Sequence, residues 1–335
     1  MQNVFVTGAT GFLGRHLCMR LKKLGFEVWG LGRNPTMGLE LNKQGIHFVE
    51  ASLSEIQSHE KVLKILGSSD LVIHSAALSS PWGNPKHFVE ANVLGTQNLL
   101  QAMDKCHVKN LIHISTPSIY MADAHQLNVL EDIVLPKPIN EYAKTKKMAE
   151  DLVLQWAKPS DRNVIVLRPQ GIFGPHDQAI FPRLIKVAEK GFFPIIGDAE
   201  TLMDLTYVDN VVDAIELSIR TLSQNNGKIF NISNGQPLEL YPYLEKVFRG
   251  LGIKFKFKKI PRAIALSIAH VGEWKSRIEN YQSEPLLTRY GVTLLSRSRT
   301  LNIDSAKKHL GYKAKISIDE GLDRTLVWLK GQRSK

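Results

Sequence analysis

The 335-residue sequence has little cysteine: only Cys18 and Cys106 occur, and neither belongs to a CxxC pair or a cluster of metal ligands. This scarcity argues against a disulfide-bonded fold and a bound metal, and it favours reduced thiols in a cytoplasmic protein. No apolar run approaches the ~20 residues of a membrane span. No basic and apolar leader precedes the first predicted strand, so secretion is not expected.

Acidic residues are scarce in the C-terminal quarter of the chain. Residues 250–335 contain 18 Lys and Arg but only 7 Asp and Glu, which accounts for the whole net charge of +11. A solvated basic face is the simplest interpretation, while contact with an anionic membrane or an acidic substrate stays open. Because no nucleic-acid-binding module is recognisable, nucleic acid is not an expected partner.

A glycine-rich turn directly follows the first apolar segment. Asn3–Thr7 predicts a buried strand, and Gly8, Gly11 and Gly14 follow it. Glycine permits a tight turn, close approach of the backbone to a pyrophosphate and close packing of helix on strand. The helix predicted over Phe12–Leu24 then presents free N–H groups at its start. The turn therefore predicts a dinucleotide site.

Short β-branched segments alternate with amphipathic helices through the first two-thirds of the chain. This alternation predicts an α/β fold, a doubly wound (Rossmann) parallel sheet covered on both faces. The further predicted strands are Glu27–Gly32, His47–Glu50, Asp70–His74, Asn110–Ser115, Asn163–Arg168 and Lys228–Ile232. The main further helices are expected at Lys86–Lys105, Glu141–Ala157, Ala179–Gly191 and from near Val208, with short helices beyond Gln236.

The alternation changes beyond Gly174-Pro175, and this change divides the chain. We predict a dinucleotide-binding domain over residues 1–174, to which residues 205–235 return. Residues 175–204 and 236–335 are predicted to form a smaller substrate-binding lobe. The lobe is expected over the carboxyl edge of the sheet, where such folds bind their ligands.

Tyr142 and Lys146 stand four residues apart at the start of a predicted helix, which places a phenol and an ammonium on one face. An adjacent cation favours a phenolate, so Lys146 is expected to lower the pKa of Tyr142 towards neutrality. The preceding strand ends in Ser115, Thr116 and Ser118, and any of these hydroxyls is a candidate to bond a substrate carbonyl.

Together these segments resemble the extended short-chain dehydrogenase/reductases. The resemblance rests on TGATGFLG, HSAA (74–77), NVLGT (92–96), the hydroxyl cluster, YAKTK, RPQGIFGP (168–175) and LTYVDNVVDA (205–214). STPSIY, LPKPINEYAKTK and the apolar lobe are most similar to the 3β-hydroxysteroid dehydrogenase-like branch. That branch includes sterol dehydrogenases and 2-alkyl-3-oxoalkanoate reductases.

The resemblance implies that Tyr142 and Lys146 are catalytic and that Lys146 also binds the nicotinamide ribose. Thr116 stands where the family usually has its catalytic serine, with Ser115 just before it. For Asn92, bonding to the backbone is an equal alternative to a functional role, and Asp209 is expected to be structural. The cofactor-binding residues then expected are Gly8, Thr10, Gly11, Phe12, Leu13, Gly14, Arg33, Ala76, Ala77, Asn92, Tyr142, Lys146 and Pro169.

No acidic residue stands between Val28 and Met37, and Arg33 follows the second predicted strand. An acid there would select NAD by binding the ribose 2′-hydroxyl, whereas an arginine accommodates the 2′-phosphate of NADP. We therefore expect NADP(H), with NAD(H) as the alternative. Ala51-Ser-Leu53 departs from the family, which often has an acidic residue near the adenine.

The expected function is NADP(H)-dependent interconversion of a ketone and a secondary alcohol on a hydrophobic, 3-oxo lipid or steroid-like substrate. Apolar residues at Ile260–Trp274, Pro81-Trp82 and Phe192-Phe193 support such a substrate, and the first segment also suggests peripheral membrane contact. The resemblance implies a homodimer through the two long central helices. The alternatives are a nucleotide-sugar epimerase or dehydratase with retained NAD, and a non-catalytic NADP-binding regulatory protein.

Overall fold

The structure, a computed structural model, describes residues 1–158 and 161–333. The strands are β1 Asn3–Thr7, β2 Glu27–Gly32, β3 His47–Glu50, β4 Leu71–His74, β5 Asn110–Ile114, β6 Gln126–Val129, β7 Asn163–Pro169, β8 Ile172–Phe173, β9 Phe192–Ile196, β10 Leu202–Met203, β11 Thr206–Tyr207, β12 Lys228–Ile232, β13 Leu238–Glu239, β14 Lys256–Ile260 and β15 Arg299–Leu301.

The α-helices are α1 Phe12–Lys23, α2 Pro35–Lys43, α3 Glu60–Gly67, α4 Pro85–Phe88, α5 Gly95–Lys105, α6 Glu141–Trp156, α7 Phe181–Ala188, α8 Val208–Arg220, α9 Leu240–Gly250, α10 Arg262–Ile278, α11 Arg289–Ser296, α12 Asp304–Leu310 and α13 Ile318–Arg333. A π-helical turn, Val89–Leu94, joins α4 to α5, and a 3₁₀ turn, Pro117–Tyr120, follows β5.

The central sheet has the order β12-β7-β5-β4-β1-β2-β3, and all its neighbouring strands run parallel. The predicted doubly wound sheet is therefore confirmed, including the return of Lys228–Ile232 to its edge. Strand order reverses at β1, which opens a crevice between the carboxyl ends of β1 and β4. The glycine turn and the HSAA segment flank this crevice.

Both faces of the sheet are covered. Side chains alternate along β1, so that Val4 and Val6 pack into one buried cluster while Phe5 packs into the other. All three are fully buried, and each such burial stabilises the fold by about 1.5–3 kcal/mol. This two-sided core holds the carboxyl edge of the sheet rigid beneath the site.

Two helix predictions were too long. The predicted Lys86–Lys105 helix is interrupted by the π turn at Val89–Leu94. The helix expected over Ala179–Gly191 begins only at Phe181, because Asp177 accepts hydrogen bonds from the N–H groups of Ala179 and Phe181 at 2.7 and 2.9 Å. It ends at Ala188, three residues before Gly191, which has φ +87°.

The C-terminal part differs from the expected short helices, since α10 and α13 have 17 and 16 residues. Phe192-Phe193 lies in strand β9, and Phe193 is buried against Phe248 and Phe257. Strand β15 pairs with both β10 and β6, so segments from both halves of the chain share one small sheet. Within residues 1–158 and 161–333, no helix is both long and apolar enough to cross a membrane.

Candidate active site

The glycine turn has the shape that its sequence predicted. Gly8 has φ +72°, and a Cβ there would stand 2.8 Å from the Ala76 backbone. A Cβ on Gly14 would collide with the Gly8 carbonyl oxygen. Gly11 is exposed and stands directly before α1. An open, side-chain-free turn at a helix N-terminus fits the pyrophosphate of a dinucleotide.

A buried hydrogen-bonded chain joins β1 and β4 beneath this turn. The Thr7 hydroxyl and His74 Nδ1 are 2.8 Å apart, and His74 Nε2 lies 2.9 Å from the Thr96 hydroxyl. Ser75 Oγ donates to the Thr7 carbonyl at 2.7 Å. Burial lowers the pKa of His74 to about 3, so its ring is neutral near pH 7. These hydrogen bonds hold Ala76 and Ala77 at the crevice. The sequence analysis did not predict this structural role for His74.

Helix α6 brings Tyr142 and Lys146 to the end of β5. Asn140 caps the helix by accepting the N–H of Ala143 at 2.9 Å, which fixes Tyr142 in the first turn. Lys146 Nζ donates to the Ile114 carbonyl at 2.7 Å. Burial lowers the pKa of Lys146 to about 8, against the opposing charge of Glu150.

The expected lowering of the Tyr142 pKa is not found. Burial raises the pKa of the phenol, while hydrogen bonding with the Thr116 and Ser79 hydroxyls opposes that shift. Lys146 is held by the Ile114 carbonyl instead. Tyr142 is therefore a protonated phenol at neutral pH, with two hydroxyls beside it.

The three candidate hydroxyls have different partners. Ser115 Oγ donates to Glu150 Oε2 at 2.6 Å, away from Tyr142. Thr116 interacts with Tyr142 and also bonds Ser118 Oγ at 3.2 Å. Neighbouring residues in an extended chain point to opposite sides, so Ser115 and Thr116 cannot both face the phenol.

Asn92 lies in the π turn and bonds to a loop near Tyr142. Its Oδ1 accepts the Leu78 N–H at 2.7 Å, and its Nδ2 donates to the Leu78 carbonyl at 3.2 Å and to Thr145 Oγ1 at 3.1 Å. These bonds fix the loop that carries Ser79. The contacts seen match the backbone-bonding alternative, and contact with a cofactor stays a prediction.

Arg33 follows β2 and is exposed. In the described part of the chain it forms no ion pair. A Cβ on Gly32 would stand 2.5 Å from Thr10 Oγ1, so a bare glycine lets the end of β2 approach the glycine turn. Among the described residues, Arg33 is thus an unpaired cation at the carboxyl end of β2.

Arg168 and Glu150 form a buried ion pair behind the hydroxyl cluster, which sequence reasoning had not assigned. Arg168 Nε and Nη2 donate to the two Glu150 oxygens at 2.9 and 2.5 Å. The guanidinium also bonds the Tyr120 hydroxyl and the Glu131 carbonyl. Asp209, expected to be structural, lies 3.6 Å from both His16 and Arg324.

Known proteins are similar to this chain over most of its length. The NAD dependent epimerase/dehydratase family matches residues 4–233. The 2-alkyl-3-oxoalkanoate reductase of Shewanella oneidensis is 31% identical, over 97% of this chain and 85% of its own length. The sterol-4-alpha-carboxylate 3-dehydrogenase ERG26, decarboxylating, of Saccharomyces cerevisiae is 31% identical over 98% of both chains.

Solved structures share the fold. MoeE5, in complex with UDP-glucose and NAD, is 26% identical with a TM-score of 0.74 over 99% of both chains. The UDP-glucuronic acid 4-epimerase from Bacillus cereus, in complex with NAD, is 24% identical with a TM-score of 0.76, covers 98% of this chain and 99% of its own, and supports the fold alone. The chain therefore belongs to the NAD dependent epimerase/dehydratase family, within the extended short-chain dehydrogenase/reductases, and is an enzyme that acts on CH–OH groups.

Proposed function

We propose that this enzyme is an NADP(H)-dependent reductase of a hydrophobic 3-oxo lipid or steroid-like ketone. The observation that carries the proposal is the bond of 2.7 Å from Lys146 Nζ to the Ile114 carbonyl, which anchors the start of α6, with the protonated Tyr142, at the end of β5 beside Thr116. The two relatives described above are named for reactions at a 3-oxo or 3-hydroxy carbon. Both are similar to this chain over nearly its whole length.

The residues at the crevice fit a dinucleotide, with Gly8, Gly11 and Gly14 at the pyrophosphate, Arg33 at the 2′-phosphate and Lys146 at the nicotinamide ribose. When bound, the nicotinamide supplies or accepts the hydride. Tyr142 gives its proton to the carbonyl oxygen, and its raised pKa keeps that proton in place beforehand.

Thr116 supplies a second hydrogen bond to the same carbonyl oxygen. Its hydroxyl is beside the phenol, whereas the Ser115 hydroxyl is bonded to Glu150. Thr116 is therefore the proposed catalytic hydroxyl. Lys146, fixed by the Ile114 carbonyl, adds a positive charge that favours the phenolate left after proton transfer.

The proposal is tested by following NADPH oxidation at 340 nm with 3-oxododecanoate, a 3-oxosteroid and UDP-glucose as substrates. Stoichiometric oxidation by either ketone is expected, together with no oxidation by the nucleotide sugar. If no ketone is reduced with NADPH or NADH while UDP-glucose is converted to its 4-epimer, the proposal fails.

Conversion of UDP-glucose to its 4-epimer would indicate the alternative function, an epimerase with retained NAD. This alternative is favoured by the fold shared with MoeE5, whose structure holds a nucleotide sugar and NAD. Two features argue against it. Arg33 is exposed and has no ion-pair partner in the described part of the chain, which suits NADP, and Pro117-Ser118 follows Thr116 where the dehydratases of the family carry acidic residues.

We also propose that helix α10 contacts a membrane. Five of its apolar side chains are 49–65% exposed and fall within one stripe of roughly 120° at ~100° per residue. They are Ile264, Ile268, Val271, Trp274 and Ile278. Strand β14 leads into this helix with exposed lysines at positions 256, 258 and 259, so an apolar stripe adjoins positive charge. This combination suits an anionic bilayer surface.

The membrane-facing helix is also connected to the site. Trp82 Nε1 donates to Ser276 Oγ at 2.8 Å on α10, and Trp82 belongs to the loop that carries Ser79 beside Tyr142. A lipid substrate could therefore pass from the bilayer to the crevice along this loop. Cytoplasmic location, a homodimer through the long central helices and the two-domain boundaries stay predictions.

Vesicle sedimentation tests this contact. The protein is expected to sediment with phosphatidylglycerol vesicles and not with phosphatidylcholine vesicles, and Trp274→Ser should reduce the bound fraction several-fold. Val327→Ser, at a similarly exposed apolar side chain on α13, is the matched control and should bind normally. Absence of binding would contradict membrane contact. A dimer that Trp274→Ser dissociates would assign the stripe to contact with a second copy of the chain.

A further inference from the structure

Lys146 is an ammonium that the fold buries almost completely. The residue is 3% exposed, and its Nζ donates to the Ile114 carbonyl at 2.7 Å. A carbonyl is neutral, so this hydrogen bond holds the side chain in place without balancing its charge. A buried charge costs free energy unless an opposite charge lies near it. The charge of Lys146 is therefore expected to depend on a carboxylate inside the fold.

Glu150 follows Lys146 by one turn of α6 and is a carboxylate whose charge acts on it. Side chains four residues apart lie on the same face of a helix, with about 5–6 Å between their Cβ atoms. Both side chains are buried. Burial lowers the pKa of Lys146 to about 8, and the charge of Glu150 opposes this fall. Without Glu150, the same burial would lower the pKa of Lys146 further.

Three hydrogen bonds fix the Glu150 carboxylate in this position. Arg168 Nε and Nη2 donate to its two oxygens at 2.9 and 2.5 Å, and Ser115 Oγ donates to Oε2 at 2.6 Å. Ser115 directly follows Ile114, whose carbonyl accepts the bond from Lys146. The ammonium and the carboxylate are therefore both attached to the end of β5, and Glu150 cannot turn away without breaking these bonds.

The other titratable groups that face Lys146 in the described part of the chain supply no negative charge. His74 on β4 and His113 on β5 are buried beside it, and burial holds the pKa of each ring far below its usual value. Both rings are therefore neutral at pH 7. Tyr142, one turn earlier on α6, is a protonated phenol. Of these groups, Glu150 alone can balance the ammonium.

We propose that Glu150 is a positioning residue of the active site, which keeps Lys146 charged at the place where the phenolate forms. This inference rests on the proposed reductase function, in which that charge favours the phenolate left by Tyr142. Glu150 acts through Lys146 and takes no part in the proton transfer. Arg168 supports it by holding the carboxylate in place, so the buried ion pair serves the reaction as well as the fold.

The ionisation of Lys146 is measured by NMR on protein with lysine labelled with ¹³C at Cε, and its signal is identified by its loss in Lys146→Met. The native midpoint should lie near pH 8. In Glu150→Gln it should fall to about pH 7, since a buried ammonium loses its counter-charge. Glu273→Gln, which removes another buried carboxylate paired with an arginine, is the matched control and should leave the midpoint near pH 8.

The direction of the change separates lost charge from lost structure. Loosened packing would admit water and raise the midpoint of Lys146 towards the ordinary lysine range, because burial is what lowers it. A midpoint that rises or stays the same in Glu150→Gln would therefore overturn the proposal.

A double variant covers the case in which Glu150→Gln leaves Arg168 unpaired and does not fold. Glu150→Gln combined with Arg168→Met removes both charges, and neutral replacements of a buried ion pair are often tolerated. The Lys146 midpoint should again fall below pH 8, whereas Arg168→Met alone keeps the carboxylate and should leave the midpoint at pH 8 or above. An unchanged midpoint in the double variant would refute the inference.

Turnover separates this inference from the reductase proposal. With NADPH and 3-oxododecanoate, kcat should fall as Lys146 loses its proton, and Glu150→Gln should move that fall by about one pH unit towards lower pH. If no ketone is reduced, the reductase proposal fails, while the NMR titration still decides the role of Glu150. If the ketone is reduced with the same pH profile in both proteins, the inference about Glu150 fails alone.

Discussion

Two arginines, Arg168 and Arg299, are buried to nearly the same degree, at 3% and 7% exposure, yet their surroundings are opposite. Arg168 makes a bidentate ion pair with Glu150 and further hydrogen bonds to the Tyr120 hydroxyl and to a backbone carbonyl. Among the described residues, Arg299 has no hydrogen-bond partner at its buried Nε and Nη1 atoms. A buried charge that is fully paired is compatible with a stable fold, whereas a buried charge without partners costs free energy of folding.

The largest expected difference between the two is in stability. Arg168→Met leaves the Glu150 carboxylate buried without its counter-charge and should lower the free energy of unfolding by about 3–5 kcal/mol. Arg299→Met removes an uncompensated charge and should leave that free energy unchanged or raise it. Urea denaturation of both variants measures this, and equal losses would remove the distinction between the two arginines.

The next comparison concerns catalysis, and it sets Tyr142 and Thr116 against Ser115, whose hydroxyl bonds the buried Glu150. Tyr142→Phe removes the proton donor and should lower kcat by about 10²–10⁴-fold, with NADPH affinity retained in a fluorescence titration. Thr116→Ala should also lower kcat, whereas Ser115→Ala, whose hydroxyl bonds Glu150, should affect stability rather than turnover. A larger loss of kcat in Ser115→Ala than in Thr116→Ala would reverse the proposed assignment.

Two buried histidines, His74 and His113, also differ in whether their side chains have hydrogen-bond partners. His74 has partners at both ring nitrogens. The His113 ring is tilted by 42° from it, with 5.1 Å between ring centroids, and has no partner in the described residues. Burial holds the pKa of His74 at about 3 and that of His113 well below its usual value. Both rings are therefore neutral in the folded protein at pH 6.

Because the unfolded rings take up protons near pH 6.5 and the folded rings do not, stability is complete above that pH and is lost as pH falls below it. Each ring should contribute a slope approaching 1.4 kcal/mol per pH unit. Unfolding free energies measured between pH 7 and 5 should therefore fall, and His74→Gln should reduce the slope by one ring's share. An unchanged slope in that variant would show that His74 is protonated in the folded state.

The smallest expected effect belongs to Arg33, which is exposed and forms no ion pair with the described residues. Arg33→Ala should raise the Kd of NADPH roughly tenfold, about 1.4 kcal/mol, since the 2′-phosphate loses a charge-assisted bond. The Kd of NADH should change much less, and Lys43→Ala, an exposed cation at the end of α2, serves as the control. Equal weakening of both dinucleotides would remove the support for NADP.

Most of the sequence-based predictions that the structure confirmed rest on local sequence patterns. The strand of Asn3–Thr7, the glycine turn after it and the helix holding Tyr142 and Lys146 depend on neighbours in the chain, so sequence reasoning located them within one residue. The direction of the Tyr142 pKa was wrong because it depends on burial by distant segments. Arg299 was missed for the same reason: the segment SRSRTL shows its charge, but its burial and lack of a partner arise only when β15 packs between β6 and β10.

The wide helical turn at Val89–Leu94 bears on how such sites change during evolution. Its backbone contains one residue more than a regular helix would use over the same rise. Deleting the exposed Glu90 would let the turn close and rotate the preceding residues by about 100° around the helix axis. A one-residue insertion is thus enough to aim the amide of Asn92 at a neighbouring loop while both ends of the helix keep their anchors.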